Sequence, residues 1–126
     1  MAESLKSKPK TYRDLQVWQK AMDLVENCYQ VSRSLPKDEL FGLTSQIRRA
    51  AVSVPANIAE GFGRWHRKEY VHHLRMAAGS VTELETHLLI AGRLRYLQSD
   101  AVQYLLKATD EIGRMLNGLI KALSNP

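Results

Sequence analysis

The segment from Leu43 to Gly63 has apolar residues at steps of three and four, the spacing of one face of an α-helix. This face consists of Leu43, Ile47, Ala50, Val54 and Ile58. A polar stripe follows the same spacing about a quarter-turn away and consists of Gln46, Arg49, Ser53, Asn57 and Glu60. The small apolar residues Val52, Ala56 and Ala59 occupy the remaining side. We therefore expect this helix to contact more than one neighbour.

Pro55 lies in the middle of this segment, where it removes an amide donor and crowds the carbonyl one turn before it, at a cost of about 3 kcal/mol. Two interpretations are open. The helix ends near Val54, because a residue before proline prefers extended geometry, or it bends and continues. The apolar spacing persists through Ile58, and glycines come only at Gly61 and Gly63, which favours a continuous, kinked helix.

Three other segments have helical periodicity. The first runs from about Tyr12 to Ser34, the third from about Arg67 to Leu94, and the fourth from a cap at Ser99 or Asp100 to about Leu123. In the first, two apolar stripes lie side by side: Leu15, Trp18, Met22, Val25 and Tyr29, and Val17, Ala21, Leu24, Cys28 and Val31. In the fourth, the residues expected to face inward are Leu105, Ala108, Ile112, Met115 and Leu119. Short connections between long helices predict an all-α fold, an antiparallel up-down-up-down four-helix bundle.

The N-terminal residues 1–11 carry several lysines and few apolar side chains, so we expect a flexible basic tail ahead of a bundle domain that spans residues 12–126. Lysine and arginine outnumber acids by 18 to 13, a net charge of +5, which favours anionic partners. The single cysteine, Cys28, suits a reducing compartment and a buried position. With no apolar run long enough to span a bilayer and no signal-peptide pattern, we expect a cytoplasmic protein.

Catalytic and metal-binding patterns are weak in this sequence. Bundles that bind two metals use paired Glu-x-x-His motifs, and only Glu69 with His72 has that spacing. Glu83 and His87 are one residue too far apart for a second copy. No nucleophile or phosphate-binding loop has a recognisable local signature. We therefore predict a non-catalytic protein with no cofactor and no metal.

Basic residues around the second connection form a candidate nucleic-acid surface, because cations bind phosphates and an aromatic ring can stack on a base. The candidates are Arg48, Arg49, Arg64, Trp65, Arg67, Lys68 and Arg75. The alternative is a solvated helix end that binds nothing.

The polar stripe of the second helix gives a separate hypothesis. A buried Asn57 amide needs partners, and Glu83 and Glu85 on the third helix are candidates for a network with it. Arg49 and Glu60 either pair with another helix or subunit or are exposed without a role. We assign Pro55, Asn57, Glu60, Glu83 and Glu85 to structure and assembly.

Three runs of sequence resemble a known family. LQVWQKAMDLVENCY, LTSQIRRAAVSVPANIAEGFGR and KEYVHHLRMAAGSVTELETHL occur in this order, and together they resemble the four-helix bundle family of 23S rRNA intervening-sequence proteins. The same fold resembles the accessory protein of diversity-generating retroelements, a basic pentameric bundle associated with a reverse transcriptase and nucleic acid. The resemblance implies RNA or DNA, or a protein that processes nucleic acid, as a partner.

Self-association is expected from the residues as well. The first helix has two apolar stripes and the second has apolar residues outside its main face, whereas a bundle buries one stripe per helix. Surplus patches on different helices favour a head-to-tail contact that closes into a ring, and the resemblance favours a homopentamer over a dimer. The alternative function is a purely structural homo-oligomeric scaffold without nucleic-acid binding.

Overall fold

The structure is a computed structural model that describes residues 8–124, so residues 1–7 of the expected tail lie outside it. The described residues form four α-helices and no strand. The helices are α1 (Gln16–Ser32), α2 (Leu43–Phe62), α3 (Arg67–Arg93) and α4 (Ser99–Ser124), with short 3-10 turns at Tyr12–Asp14 and Lys37–Glu39. None of the helices in this part of the chain is both long and apolar enough to cross a membrane.

The four helices surround one hydrophobic core. Helix α1 packs on α2 and α4, and α3 packs on the same two helices. Each helix therefore contributes one face to a shared cluster of buried aliphatic side chains. The predicted all-α fold with four helices is confirmed.

Helix α2 continues through Pro55, as the apolar spacing predicts. Pro55 is buried, and all five residues of the predicted apolar face are buried with it. Burial of a full apolar face on both sides of the proline offsets the missing backbone hydrogen bond.

Helix α1 buries most of one of its two apolar stripes, while the other stripe is only partly covered. Val17, Ala21, Leu24 and Cys28 are buried. On the other stripe, Met22 and Tyr29 remain 38% exposed. This helix therefore presents apolar surface to solvent within a single chain.

The inward face of α4 differs from the prediction. The buried residues are Val102, Leu105, Thr109, Ile112, Leu116 and Ile120. Ala108, Met115 and Leu119 lie at the edge of the core, where they are half-buried. The prediction missed Thr109 because it is polar, yet its hydroxyl can be buried since it donates to Glu85 Oε2 at 2.8 Å and lies 2.9 Å from the Leu106 carbonyl.

One carboxylate joins the two connections at one end of the molecule. Glu39 Oε1 accepts the Leu43 N–H at 2.9 Å at the start of α2, and Glu39 Oε2 accepts the Tyr96 hydroxyl at 3.0 Å. Tyr96 belongs to the α3–α4 turn, in which Arg95 adopts a φ of 65°. Glu39 thus caps the start of α2 and also holds the α3–α4 turn in place.

Candidate nucleic-acid interface

The connection between α2 and α3 is positioned by a close contact at Gly61. A Cβ atom at Gly61 would lie 2.7 Å from His73 Cβ and 3.1 Å from Tyr70 Cδ1. Only a glycine allows α2 and α3 to approach this closely. Phe62 then packs edge-on against Tyr70, with ring centroids 5.9 Å apart. The base of the connection is therefore fixed just before the exposed residues begin.

The exposed residues of this connection form what we call the Trp65 loop, residues 63–68. Trp65 is 97% exposed, an unusual state for the largest apolar side chain. Arg67 and Lys68 are also exposed. Arg64 pairs with Glu60 at 2.6 Å, four residues earlier, so its charge is partly neutralised. The loop thus presents an aromatic ring beside two cations for which the described residues provide no ion pair.

Arg75 lies on α3, beyond the loop. It is exposed and stands eight residues after Arg67, about 12 Å along the helix axis. It lies seven residues after Lys68, so the two side chains project from nearly the same side of α3. Arg75 can therefore extend the basic surface of the loop along the helix.

Arg48 and Arg49 lie elsewhere, which corrects the prediction of one surface with seven members. They belong to the second turn of α2, whereas Arg64 follows its end, and 16 residues correspond to about 24 Å of helix. Arg48 Nε donates to Ser32 Oγ at 2.9 Å, and its guanidinium lies 4.6 Å from the Tyr29 ring centroid. These two arginines belong to a different surface.

That surface is a groove of about 600 Å³ along α1 and α2, which we call the α1–α2 groove. It is lined by Arg48 and Arg49 together with Tyr29, Leu40 and Val52, and Phe41 stands beside them with 92% of its surface exposed. Sequence analysis did not identify Phe41, because this residue lies in an irregular segment without helical periodicity.

Asn57 joins α2 to α3 through a polar network, as predicted. Its amide nitrogen donates to the Ser53 carbonyl at 3.0 Å and to Ser53 Oγ at 3.1 Å. Its Oδ1 accepts from His73 Nδ1 at 3.2 Å, which places the proton on Nδ1 because a carbonyl oxygen only accepts. Ser53 Oγ also lies 2.8 Å from Ser80 Oγ. The four side chains are half-buried between the two helices.

The predicted partners of Asn57, Glu83 and Glu85, lie outside this network. Glu85 comes five residues after Ser80, about 140° further around α3, so it faces α4 and accepts the Thr109 hydroxyl. Glu83 is exposed and lies 3.4 Å from His87 on the same helix. The sequence identified the right helix, but the side of α3 that faces α2 is marked by His73 and Ser80.

The other residues assigned to assembly also have local surroundings. Pro55 is buried inside α2, and Glu60 is exposed and pairs only with Arg64. Neither takes part in the hydrogen bonds of the Asn57 network. Their predicted role in assembly stays a prediction.

No constellation of metal ligands is present in residues 8–124, where no three His, Cys, Asp or Glu side chains converge. His72 and His73 are neighbours, with ring centroids 5.7 Å apart, but His73 is engaged with Asn57. Burial raises the pKa of the Cys28 thiol to about 12, so at neutral pH this thiol is protonated and a poor nucleophile.

These features define a small all-helical protein of four packed helices whose distinctive polar groups lie on its surface. Residues 13–118 match the family model of the 23S rRNA-intervening sequence proteins, and the chain belongs to this family. The resemblance seen in the sequence is thereby confirmed.

A solved structure supports the fold. It is a protein with unknown function from the S23 ribosomal protein family of Bacteroides thetaiotaomicron, 24% identical to this chain, with a TM-score of 0.78. The alignment covers 83% of this chain and 98% of that chain. A comparison with curated proteins found no match.

Proposed function

We propose that this protein is a non-catalytic binding protein that contacts RNA or DNA through the Trp65 loop. The observation that carries the proposal is the 97% exposure of Trp65 beside Arg67 and Lys68. Stacking of a solvent-exposed indole on an unpaired base is favourable, and neighbouring cations bind the flanking phosphates. A protein that handles nucleic acid is the second candidate partner, because an exposed tryptophan beside a basic patch also suits a protein interface.

Electrostatics sets the character of this binding. The chain carries a net charge of +5, and at the loop only Arg64 is paired with an acid. Contacts to phosphate carry no sequence information and weaken as salt increases. Binding is therefore weak, largely independent of sequence, and strongest at low ionic strength. The single buried Cys28 suits the reducing cytoplasm as the place where it occurs.

Fluorescence anisotropy with labelled RNA and DNA, both single-stranded and duplex, tests this proposal. We expect Trp65→Ala to weaken single-strand binding by about 5- to 150-fold, because one base–aromatic stack contributes about 1–3 kcal/mol. Lys68→Gln should make the negative slope of log K, the association constant, against log salt concentration less steep by about 0.7 for single strands. Tyr104→Ala is the matched control, since Tyr104 is a 64% exposed aromatic residue on α4. Absence of binding by the wild type at low salt would refute the proposal and favour the purely structural scaffold.

We propose further that the bundle is antiparallel and self-associates into a closed ring, with five subunits as the family resemblance favours. Asn57 meets His73 and Ser53 meets Ser80, so positions on α2 fall as those on α3 rise. This order and the short connections support an up-down-up-down arrangement. Exposed apolar residues on more than one helix, such as Met22 on α1 and Met76 on α3, support association.

A further inference from the structure

The α1–α2 groove combines exposed apolar side chains with an arginine that forms no ion pair with any residue from 8 to 124. Phe41 is 92% exposed and Leu40 is 50% exposed, next to Val52 at 41%. Arg48 is held by Ser32 and Tyr29. Arg49 is exposed, and the described residues give it no ion pair. Phe41, Leu40 and Val52 thus share the groove with a cation that has no ion pair within the described part of the chain.

The charge of this groove is positive because Arg48 and Arg49 are its only charged lining residues. Glu39 precedes Leu40 in sequence, but both of its oxygens are engaged, one with the Leu43 N–H and one with the Tyr96 hydroxyl. No acidic side chain lines the groove. An occupant should therefore bring apolar side chains and a negative charge.

Helix α3 carries a surface with this composition. Glu69, Met76, Glu83 and Ile90 follow one another at seven-residue steps, so they form one line along the helix, which we call the α3 stripe. Met76 is 44% exposed and Ile90 is 40% exposed. Glu83 lies midway between them, about 10 Å from each along the axis. Its contact with His87 is long, at 3.4 Å, and leaves its side chain 55% exposed.

The two surfaces are complementary in composition and in charge. Along the chain, Arg49 lies between Phe41 and Val52 of the groove, and Glu83 lies between Met76 and Ile90 of the stripe. We infer that the α3 stripe of one copy of this chain docks in the α1–α2 groove of a second copy, with Glu83 facing Arg49. The inference rests on the proposed self-association and names the surfaces that produce it.

The positions of the two surfaces favour a ring. Glu83 is three residues after Ser80, so it lies about 60° from Ser80 around α3, in the direction away from Glu85, on the outer surface beside α2. The groove lies on the other side of α2, towards α1. The two surfaces therefore occupy adjacent faces of the molecule instead of opposite ones. Head-to-tail contacts between adjacent faces turn at every subunit, and they form a ring when this rotation closes after a whole number of subunits.

Charge reversal tests the pairing, with mass measured by light scattering after size exclusion and affinity by sedimentation equilibrium. Arg49→Glu places two carboxylates together, and Glu83→Arg places two cations together. Each should raise the dissociation constant about ten-fold or more. The double variant Arg49→Glu with Glu83→Arg restores the ion pair with the charges exchanged. Its dissociation constant should lie within about three-fold of the wild-type value.

A mixing experiment tests the head-to-tail geometry. Phe41→Asp disables the groove and leaves the stripe intact, while Ile90→Asp disables the stripe and leaves the groove intact. Each variant alone should be monomeric. Their equimolar mixture should form a heterodimer and nothing larger, because only one productive contact remains. Tyr104→Asp is the control, an exposed aromatic site outside both surfaces, and should keep the wild-type mass. Circular dichroism verifies that all variants remain helical.

The outcomes separate this inference from the proposed function. A monomeric wild type would overturn both the self-association and the docking. A wild-type oligomer whose mass is unaffected by Phe41→Asp and Ile90→Asp would overturn the docking alone and place the contact on other surfaces. If the groove variants keep their mass but bind RNA more weakly, the groove is a nucleic-acid site, and the docking is again refuted.

Discussion

Replacing Gly61 by alanine is the most direct test of the packing that positions the Trp65 loop. The added methyl carbon would lie 2.7 Å from His73 Cβ, 3.1 Å from Tyr70 Cδ1 and 3.2 Å from the Tyr70 carbonyl oxygen. The Tyr70 oxygen and the His73 Cβ move only with the backbone of α3, so α2 and α3 must separate locally. Such overpacking costs about 1–3 kcal/mol.

An opposing effect reduces this cost. Alanine is favoured over glycine inside a helix by about 1 kcal/mol. The net expectation for Gly61→Ala is therefore a loss of up to about 2 kcal/mol. Gly113→Ala is the matched control, because Gly113 lies inside α4 and a Cβ there meets no atom within 4 Å. The Gly113→Ala variant should be about 1 kcal/mol more stable than the wild type, because alanine has a higher helix propensity than glycine.

Urea unfolding followed by circular dichroism measures both variants against the wild type. The predicted difference between the two alanine variants is about 1–3 kcal/mol, which is the overpacking cost by itself, since the propensity gain is common to both. Equal stabilisation by Gly61→Ala and Gly113→Ala would show that the α2–α3 contact is loose at this point, and the reasoning about the loop would fail.

Three further predictions concern groups that are buried or half-buried. Pro55→Ala restores a backbone donor and should straighten α2, which should lower the oligomer mass more than the helicity. An unchanged mass by light scattering would show that Pro55 has no part in association. Asn57→Ala removes the partner of His73 and Ser53 and should cost about 1–3 kcal/mol in urea unfolding, whereas a change within error would mean that water replaces the amide. Because burial raises the pKa of Cys28 from 9.0 to about 12, the unfolded chain loses this proton first, so the stability contribution is complete below pH 9 and falls as the pH rises towards 12. Comparison with Cys28→Ala by urea unfolding across that range measures the effect, and parallel curves would contradict it.

Prediction from the sequence was most accurate for the residues whose position depends on burial of apolar side chains alone. The apolar face of α2 continues in register past Pro55, and the structure buries it on both sides of the proline. Periodicity reports which residues avoid water, and it does so regardless of how helices are arranged. The same reasoning failed for Thr109, because a polar residue can enter the core when a residue on another helix accepts its hydrogen bond.

The partners across helices were harder to predict. Assigning Asn57 to α3 was correct, but choosing Glu83 and Glu85 over His73 required knowing which side of α3 faces α2, and sequence spacing leaves that rotation undetermined. Arg48 was placed near the Trp65 loop because both are basic, although helix length separates them by about 24 Å. Phe41 gave no periodic signal at all.

The hydrogen bonds of Glu39 give the two ends of the bundle different mechanical properties. At one end, a single carboxylate ties the start of α2 to Tyr96 in the α3–α4 turn. At the other end, the loop that carries Trp65 is held only at its base. Local opening should therefore begin at the Trp65 end, and amide hydrogen exchange there should be faster than around Leu43. A loop that opens without disturbing the far end can adapt its shape to a ligand while the rest of the bundle stays folded.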